Sequence, residues 1–171
     1  MTAVWRQNMT IELGNGIIFQ INVSDGGVPK RAVRQAQVTP LGLVGDQHAD
    51  TQHHGGPERA LCLFSLERIQ AMQQEGHPIF PGAAGENLTL SGLDWIQVVP
   101  GVRLKLGEQV WVEVTRYTVP CHTIEEAFIQ KQYERISQTR HPGWSRVYVK
   151  VLEEGTICPG DRVKVYAAEA V

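Results

Sequence analysis

The sequence predicts a mostly β fold with a few helices, built as a sandwich or barrel. Three observations lead there. Short runs alternate apolar and polar residues, with valine recurring every second position in VWVEV, VYVKV and VKVYA. Glycine- and proline-bearing turn signals fall between these runs at close intervals. Only two stretches read as helical. The chain has 171 residues, the size of a single domain over 1–171 that can bury its own core without a disulfide or metal staple.

Taken in order, Asn15-Gly16 is a tight-turn signal. It precedes a strand in which Ile17, Phe19, Ile21 and Val23 face inward and Gln20, Asn22 and Ser24 face out, with Ile18 breaking the polar side. RAVRQAQVTP reads as a second strand. LGLVGDQHADTQHHGGPE is a long loop rich in glycine and histidine, and RALCLFS is a short apolar strand. Ser65 caps a helix, LERIQAMQQEG, with Leu66, Ile69 and Met72 on its apolar face and Gly76 as its stop. HPIFPGAAGENLTLSGLD is a second loop-dominated stretch. VRLKLGEQVWVEVTRY holds a strand, a turn near Gly107 and a longer strand with Val110, Val112 and Val114 on one face. Thr123 to Glu126 has capping-box spacing, which predicts a helix over 124–137. TRHPGWS is a loop. Val147, Val149 and Val151 stay in step in the next strand, and GDRVKVYA is the last. LGEQVWVEV and PGDRVKVYA share one pattern, read as two similar strand starts.

Composition narrows function. Hydrophobic residues make up 42% of the chain and charged residues 20%, an ordinary globular balance. Sixteen basic and eighteen acidic residues give a formal charge of −2, so the basic surplus of a nucleic-acid binder is missing. Neither a secretion signal nor a membrane-length apolar run is visible, and the expected location is the cytoplasm. Three widely spaced cysteines, Cys62, Cys121 and Cys158, fit reduced thiols better than a disulfide framework.

Cys121 stands out. It lies in VTRYTVPCHTIEE, between a strand and the expected helix. With Thr123 as helix N-cap, free backbone N–H groups and the positive end of the dipole would lie near the thiol and favour a thiolate. Such a sulfur can act as a nucleophile, a sulfur acceptor or a soft metal ligand. The opposing reading is a buried structural cysteine. Cys62, inside ALCLF, reads as core, and Cys158 in TICPGD as incidental. His48, His53 and His54 share a loop and raise a zinc site, but without paired Cys-x-x-Cys or a helical His pair the signal is weak. HHGGPERA and PGAAGEN lack a phosphate-loop ending. They read either as plain turns or as walls of an anion pocket, with Arg59 or Lys30 supplying charge and Glu86-Asn87 orienting a ligand. HPGWSR offers an aromatic wall and a cation, with Trp144 equally readable as a core plug.

Taken in series, GDQHADTQHHGGPERAL, PGAAGENLTLSGLD, VPCHTI and PGWSRVYVKVLEEGTICPGD resemble the MOSC domain, named after the C-terminal domain of molybdenum cofactor sulfurases. The resemblance runs from about Ile17 to Val165 and points to a small stand-alone bacterial member. It implies a β-barrel and a single motif cysteine, Cys121, that carries the function. Members either handle activated sulfur on that cysteine or bind the molybdenum–pterin cofactor with the thiolate at the metal, and some reduce N-hydroxylated compounds. The family's loops map to His54, Gly55 and Gly56, and to Gly85, Glu86, Asn87, Leu88 and Thr89. Arg59 would line the pocket, and Lys30 or Arg146 would hold the pterin phosphate. Many relatives place an arginine three residues before the cysteine, where this chain has Thr118. The chain has no flavin or iron–sulfur motif and is too short to add a pyridoxal-phosphate desulfurase domain. A reductase or a cysteine desulfurase partner is therefore expected to bring electrons or sulfur. The alternative to a cofactor protein is a non-enzymatic sulfur relay.

Overall fold

The computed structural model of the chain describes residues 11–47 and 55–168. Strand β1 (Glu12–Val23) pairs antiparallel with β11 (Arg162–Tyr166) along its first half and with β6 (Leu88–Ser91) beyond. From β11 the sheet continues through β7 (Arg103–Leu106), β8 (Val110–Tyr117), β9 (Val147–Glu153) and β5 (Leu61–Ser65) to β6, and so returns to β1. Seven strands thus close a barrel, and closure removes the unpaired edges an open sheet would expose. The β5–β6 pair is parallel and the remaining ring pairs are antiparallel. β2 (Arg31–Val33) extends the far end of β1, while β3 (Ala36–Thr39), β4 (Gly42–Leu43) and β10 (Gly155–Ile157) form a separate three-stranded sheet. The expected single strand over RAVRQAQVTP is therefore two strands serving two sheets.

The period-2 pattern fills the barrel. Leu104 and Leu106, Val110, Val112 and Val114, Val147 and Val149, and Val163 and Val165 are all buried. The two look-alike strand starts lead into β8 and β11, which flank β7 on either side.

β1 departs from its expected facing. Ile18 and Ile21 are fully buried, whereas Ile17 and Phe19 are 42% and 44% exposed. The register against β6 shifts between Ile18 and Gln20, and a bulge of this kind turns alternate residues to the other face. Asn22, expected outside, is buried with its amide donating to Glu86 O and Thr89 Oγ1. Asn15-Gly16 is no turn either. Both residues pair with β11, and a Cβ on Gly16 would strike the Ser91 carbonyl, so glycine is there to let β1 and β6 approach.

Helix α1 (Leu66–Gln74) forms as expected. Ser65 Oγ accepts from Arg68 N, Ile69 and Met72 are buried, and Gly76 follows with φ 94°. The helix expected over 124–137 does not form. Three short 3-10 turns stand in its place, at His122–Ala127, Ile129–Lys131 and Tyr133–Ile136. Phe128 is extended and buried, and the Ile129 N–H donates to His77 Nδ1 instead of a carbonyl one helical turn back. Tertiary packing of Ile124, Phe128 and Ile136 outweighs the capping signal.

Candidate functional site

A cleft of about 800 Å³ opens on the outer face of the barrel. Strand pairing positions much of its floor. Cys62 of β5 lies opposite Tyr148 of β9, which lies opposite Arg116 of β8, and opposed residues on antiparallel strands share a face. Cys62, Tyr148 and Arg116 all line the cleft, together with Arg59, Asn87, Cys121 and Arg146. Lys30 and Gly85 line it too. The cleft thus gathers Cys121, Lys30, Arg59, Asn87 and Arg146 from loops far apart in sequence. His54 lies outside the described residues, as do His48 and His53. Gly55 and Gly56, with φ 103° and 83°, lead into the turn Pro57–Arg59 that carries Arg59 to the cleft.

Cys121 is half-buried at the rim, its Sγ 2.9 Å from Thr123 Oγ1. It precedes a six-residue 3-10 turn, so the dipole of a long helix does not act on it. Val119, two residues before, is 82% exposed.

Below the rim the polar groups are interlocked. Lys30 Nζ sits 2.6 Å from Asp46 Oδ1, with both side chains nearly inaccessible. Asp46 also accepts from Ser24 N, and its other oxygen accepts from Asn87 Nδ2 at 2.8 Å. Asn87 Oδ1 accepts from Cys62 N, and the Asn87 N–H donates to Cys62 O. Asn87 is accordingly a clamp between β5, the start of β6 and Asp46, and its side chain is spent within the protein. Asp46 stands second in GDQHADTQHHGGPERAL, but nothing in that segment marks its role. Its nearest signal is its place at the head of the histidine loop.

Glu86 stands behind the wall, fully buried. Its Oε1 accepts from Gly82 N and Thr89 Oγ1, and its Oε2 has no partner among the described residues. Burial pushes the Glu86 carboxyl up, against smaller lowering effects from those hydrogen bonds and from the Arg146 charge. Arg146 is 6% exposed, donates from Nη1 to Ala84 O, and leaves Nε buried without a partner among the described residues. Burial likewise pushes the Cys62 thiol up, with Arg146 pulling the other way. Burial raises the Tyr148 phenol to about 12, with the neighbouring Cys62 adding to it. Arg59 lies 5.7 Å above the Tyr148 ring.

Two sequence expectations shift here. Cys62 is core by burial, at 5% exposure, yet it also borders the cleft. Trp144 is no cleft wall: it is held between the guanidinium groups of Arg68 and Arg135, 4.5 and 3.9 Å from its ring. Thr118, three residues before Cys121 where the resemblance implies an arginine, is buried with Oγ1 3.9 Å from Cys62 Sγ, and its N–H donates to Arg146 O. Among the described residues no group of three or more His, Cys, Asp or Glu side chains is placed to hold a metal ion. No helix among them is long and apolar enough to cross a membrane.

A closed barrel carrying a thiol at the mouth of an arginine-rich outer cleft is the class of protein this geometry defines. The family profile of the MOSC domain matches residues 50–164, and the chain belongs to that family. It is 32% identical over 141 residues to the uncharacterized protein YflK of Bacillus subtilis, covering 81% of this chain and 62% of that one. It is 30% identical over 115 residues to YiiM of Escherichia coli, covering 64% of this chain and 51% of that one. A protein of Gibberella moniliformis named reductase is 32% identical over 129 residues, 72% of this chain and 22% of that one. The chain therefore spans less than two thirds of each of these relatives. In structure it resembles the YUAD protein of Bacillus subtilis (TM-score 0.73, 18% identity, 93% of this chain and 100% of that one). It also resembles YiiM of Geobacillus stearothermophilus (TM-score 0.69, 27% identity, 88% and 74%).

Proposed function

We propose that the cleft binds the molybdenum–pterin cofactor, with Cys121 as the protein's sulfur donor to molybdenum. The observation that carries this reading is one thiol at the rim of a cleft bordered by Arg59, Arg116 and Arg146. The residues fit the group. A thiol is a soft donor, guanidinium groups match a phosphate's oxygens, and the buried Arg146 Nε, without a partner among the described residues, is a donor in want of an acceptor. Val28, Ala84 and Ile124 supply apolar wall for a flat ring. Lys30 lines the same cleft, but Asp46 already balances its charge. When bound, the group supplies two-electron redox chemistry, and reduction of an N-hydroxylated compound with electrons from a partner protein is the activity we assign. Cys121 holds the group, the arginines orient its anionic end, and the apolar wall limits water around it.

The test is molybdenum and pterin content of the protein made in cells that produce the cofactor, beside Cys121→Ser of verified fold. Near-stoichiometric metal in the parent and its loss in the variant is expected. Metal retained in the variant would defeat the role given to Cys121. A second reading, in which Cys121 carries persulfide sulfur between a cysteine desulfurase and a receiving protein, is favoured by its place at the rim beside the exposed Val119. Absence of metal from both proteins would turn the assignment to that carrier.

A further inference from the structure

We propose that Cys62 is a second working thiol of the cleft, which takes sulfane sulfur from Cys121 and stores it as an inner persulfide. The inference rests on the sulfur-carrier reading of Cys121 and deepens it. Both cysteines border one cleft, Cys121 half-buried at the rim and Cys62 at 5% exposure on the floor. Tyr148 lines the same cleft. It faces Cys62 across the β5–β9 ladder.

The second observation is Arg146. Its guanidinium is buried, borders the same cleft, acts on the Cys62 sulfur, and has a donor with no acceptor among the described residues. Such a donor is costly unless some state of the protein supplies its acceptor. The neutral Cys62 thiol is a poor one. A persulfide on Cys62 would present an additional, more acidic sulfur, and its anion would meet the Arg146 charge and the Thr118 hydroxyl, 3.9 Å from Cys62 Sγ.

The step balances. Cys62 gives up its proton and its sulfur attacks the outer sulfur of the Cys121 persulfide. The sulfur–sulfur bond at Cys121 breaks and a new one forms at Cys62. Cys121 leaves as thiolate and takes up the proton. One persulfide and one thiol enter and one of each remain, so no oxidant or reductant is consumed.

The experiment uses the full chain with glutathione persulfide as donor, quenched at intervals by alkylation under denaturing conditions, with added sulfur located by peptide mass spectrometry. Parent, Cys121→Ser and Cys62→Ser are compared, with Cys62→Ala as a second variant and thermal melts to confirm folding. Cys158 is the internal reference for nonspecific addition. Sulfur should reach Cys121 first and Cys62 later. It should be lost from Cys62 in Cys121→Ser and should persist on Cys121 in both Cys62 variants. Sulfur confined to Cys121 in the parent overturns the transfer and leaves the carrier reading standing. Sulfur on Cys62 in Cys121→Ser overturns the relay order. Sulfur on neither thiol overturns the carrier reading as well.

Discussion

Replacing Lys30 by methionine separates two roles for its ammonium group, holding the fold and holding a ligand. The Nζ of Lys30 is 2.6 Å from Asp46 Oδ1, and the two side chains are 8% and 2% exposed. In Lys30→Met the Asp46 carboxylate stays buried, with only the Ser24 N–H and the Asn87 amide as partners among the described residues. Removing one member of a buried ion pair costs about 3–5 kcal/mol, because the other charge is left uncompensated. The two remaining donors place Lys30→Met near the lower figure. Asp46→Asn strands the ammonium instead and weakens the contacts to Ser24 and Asn87, so it should cost at least as much. For a chain of this length each kcal/mol lowers the melting temperature by about 2–4 °C, so a loss of about 6–12 °C is expected for Lys30→Met. The pair Lys30→Met and Asp46→Asn combined should lose less than the two single losses added, since neither charge is then left alone. Thermal unfolding followed by circular dichroism, with urea titrations for the free energies, measures all three. A melting temperature for Lys30→Met within about 2 °C of the parent would refute this reasoning and return Lys30 to the ligand.

Two further outcomes follow from the buried groups around the cleft. Because burial raises the Glu86 carboxyl, the folded protein holds that proton more tightly than the unfolded chain does. Its stabilising contribution is therefore full below the ordinary glutamate value of about 4.3 and is lost as pH rises through the raised folded value. Glu86→Gln cannot titrate, so urea midpoints of parent and variant should diverge in the variant's favour as pH rises, and a constant gap would refute the assignment. For Arg146→Met the readout is anion-dependent stability. An anion present at 100 times its dissociation constant stabilises a protein by about 2.7 kcal/mol, or about 5–11 °C here. Phosphate or molybdate should raise the melting temperature of the parent, and the gain should vanish in Arg146→Met. An equal gain in the variant, or none in the parent, would refute an anion site at Arg146.

The sequence made the barrel strands legible where valines and leucines alternate, because one buried face imposes a period of two. Val110 to Val114 and Val147 to Val149 behave in this way. The pattern misled in β1 because a bulge near Phe19 resets the facing, and a bulge depends on the partner strand. The capping box at Thr123 misled because the packing of Phe128 and the His77 ring decide that segment from outside it. Of the residues bordering the cleft, Cys121, Arg59 and Arg146 could be named from motifs, whereas Arg116 could not. The contacts of Asp46 with Lys30 and Asn87 could not, since they join loops 16 and 41 residues apart. The place of Cys62 on the cleft was hidden for another reason. A residue in an apolar run reads as core, and in β5 both faces are buried.

That burial on two faces explains how one strand pattern builds both barrel and site. Leu61 and Leu63 fill the interior, while Cys62 between them borders the cleft. Val147 and Val149 do the same around Tyr148, and Arg146 precedes Val147 on the cleft side. A slip of one residue in β9 would carry Arg146 and Tyr148 into the apolar interior and present valines to the cleft. Placing a guanidinium and a phenol among apolar side chains that offer them no polar partner is costly enough to forbid it. The packing of the barrel therefore sets the register of the cleft. Thr118 bonds to the Arg146 carbonyl one step beyond the Tyr117–Val147 pair. The threonine is thus held on β9's neighbour, and the buried guanidinium at this point of the cleft comes from beside β9, not from the strand that leads to Cys121. The distribution of charge in the cleft follows from strand pairing, and a substitution inside the barrel that shifts β9 should disable the cleft without touching any residue that lines it.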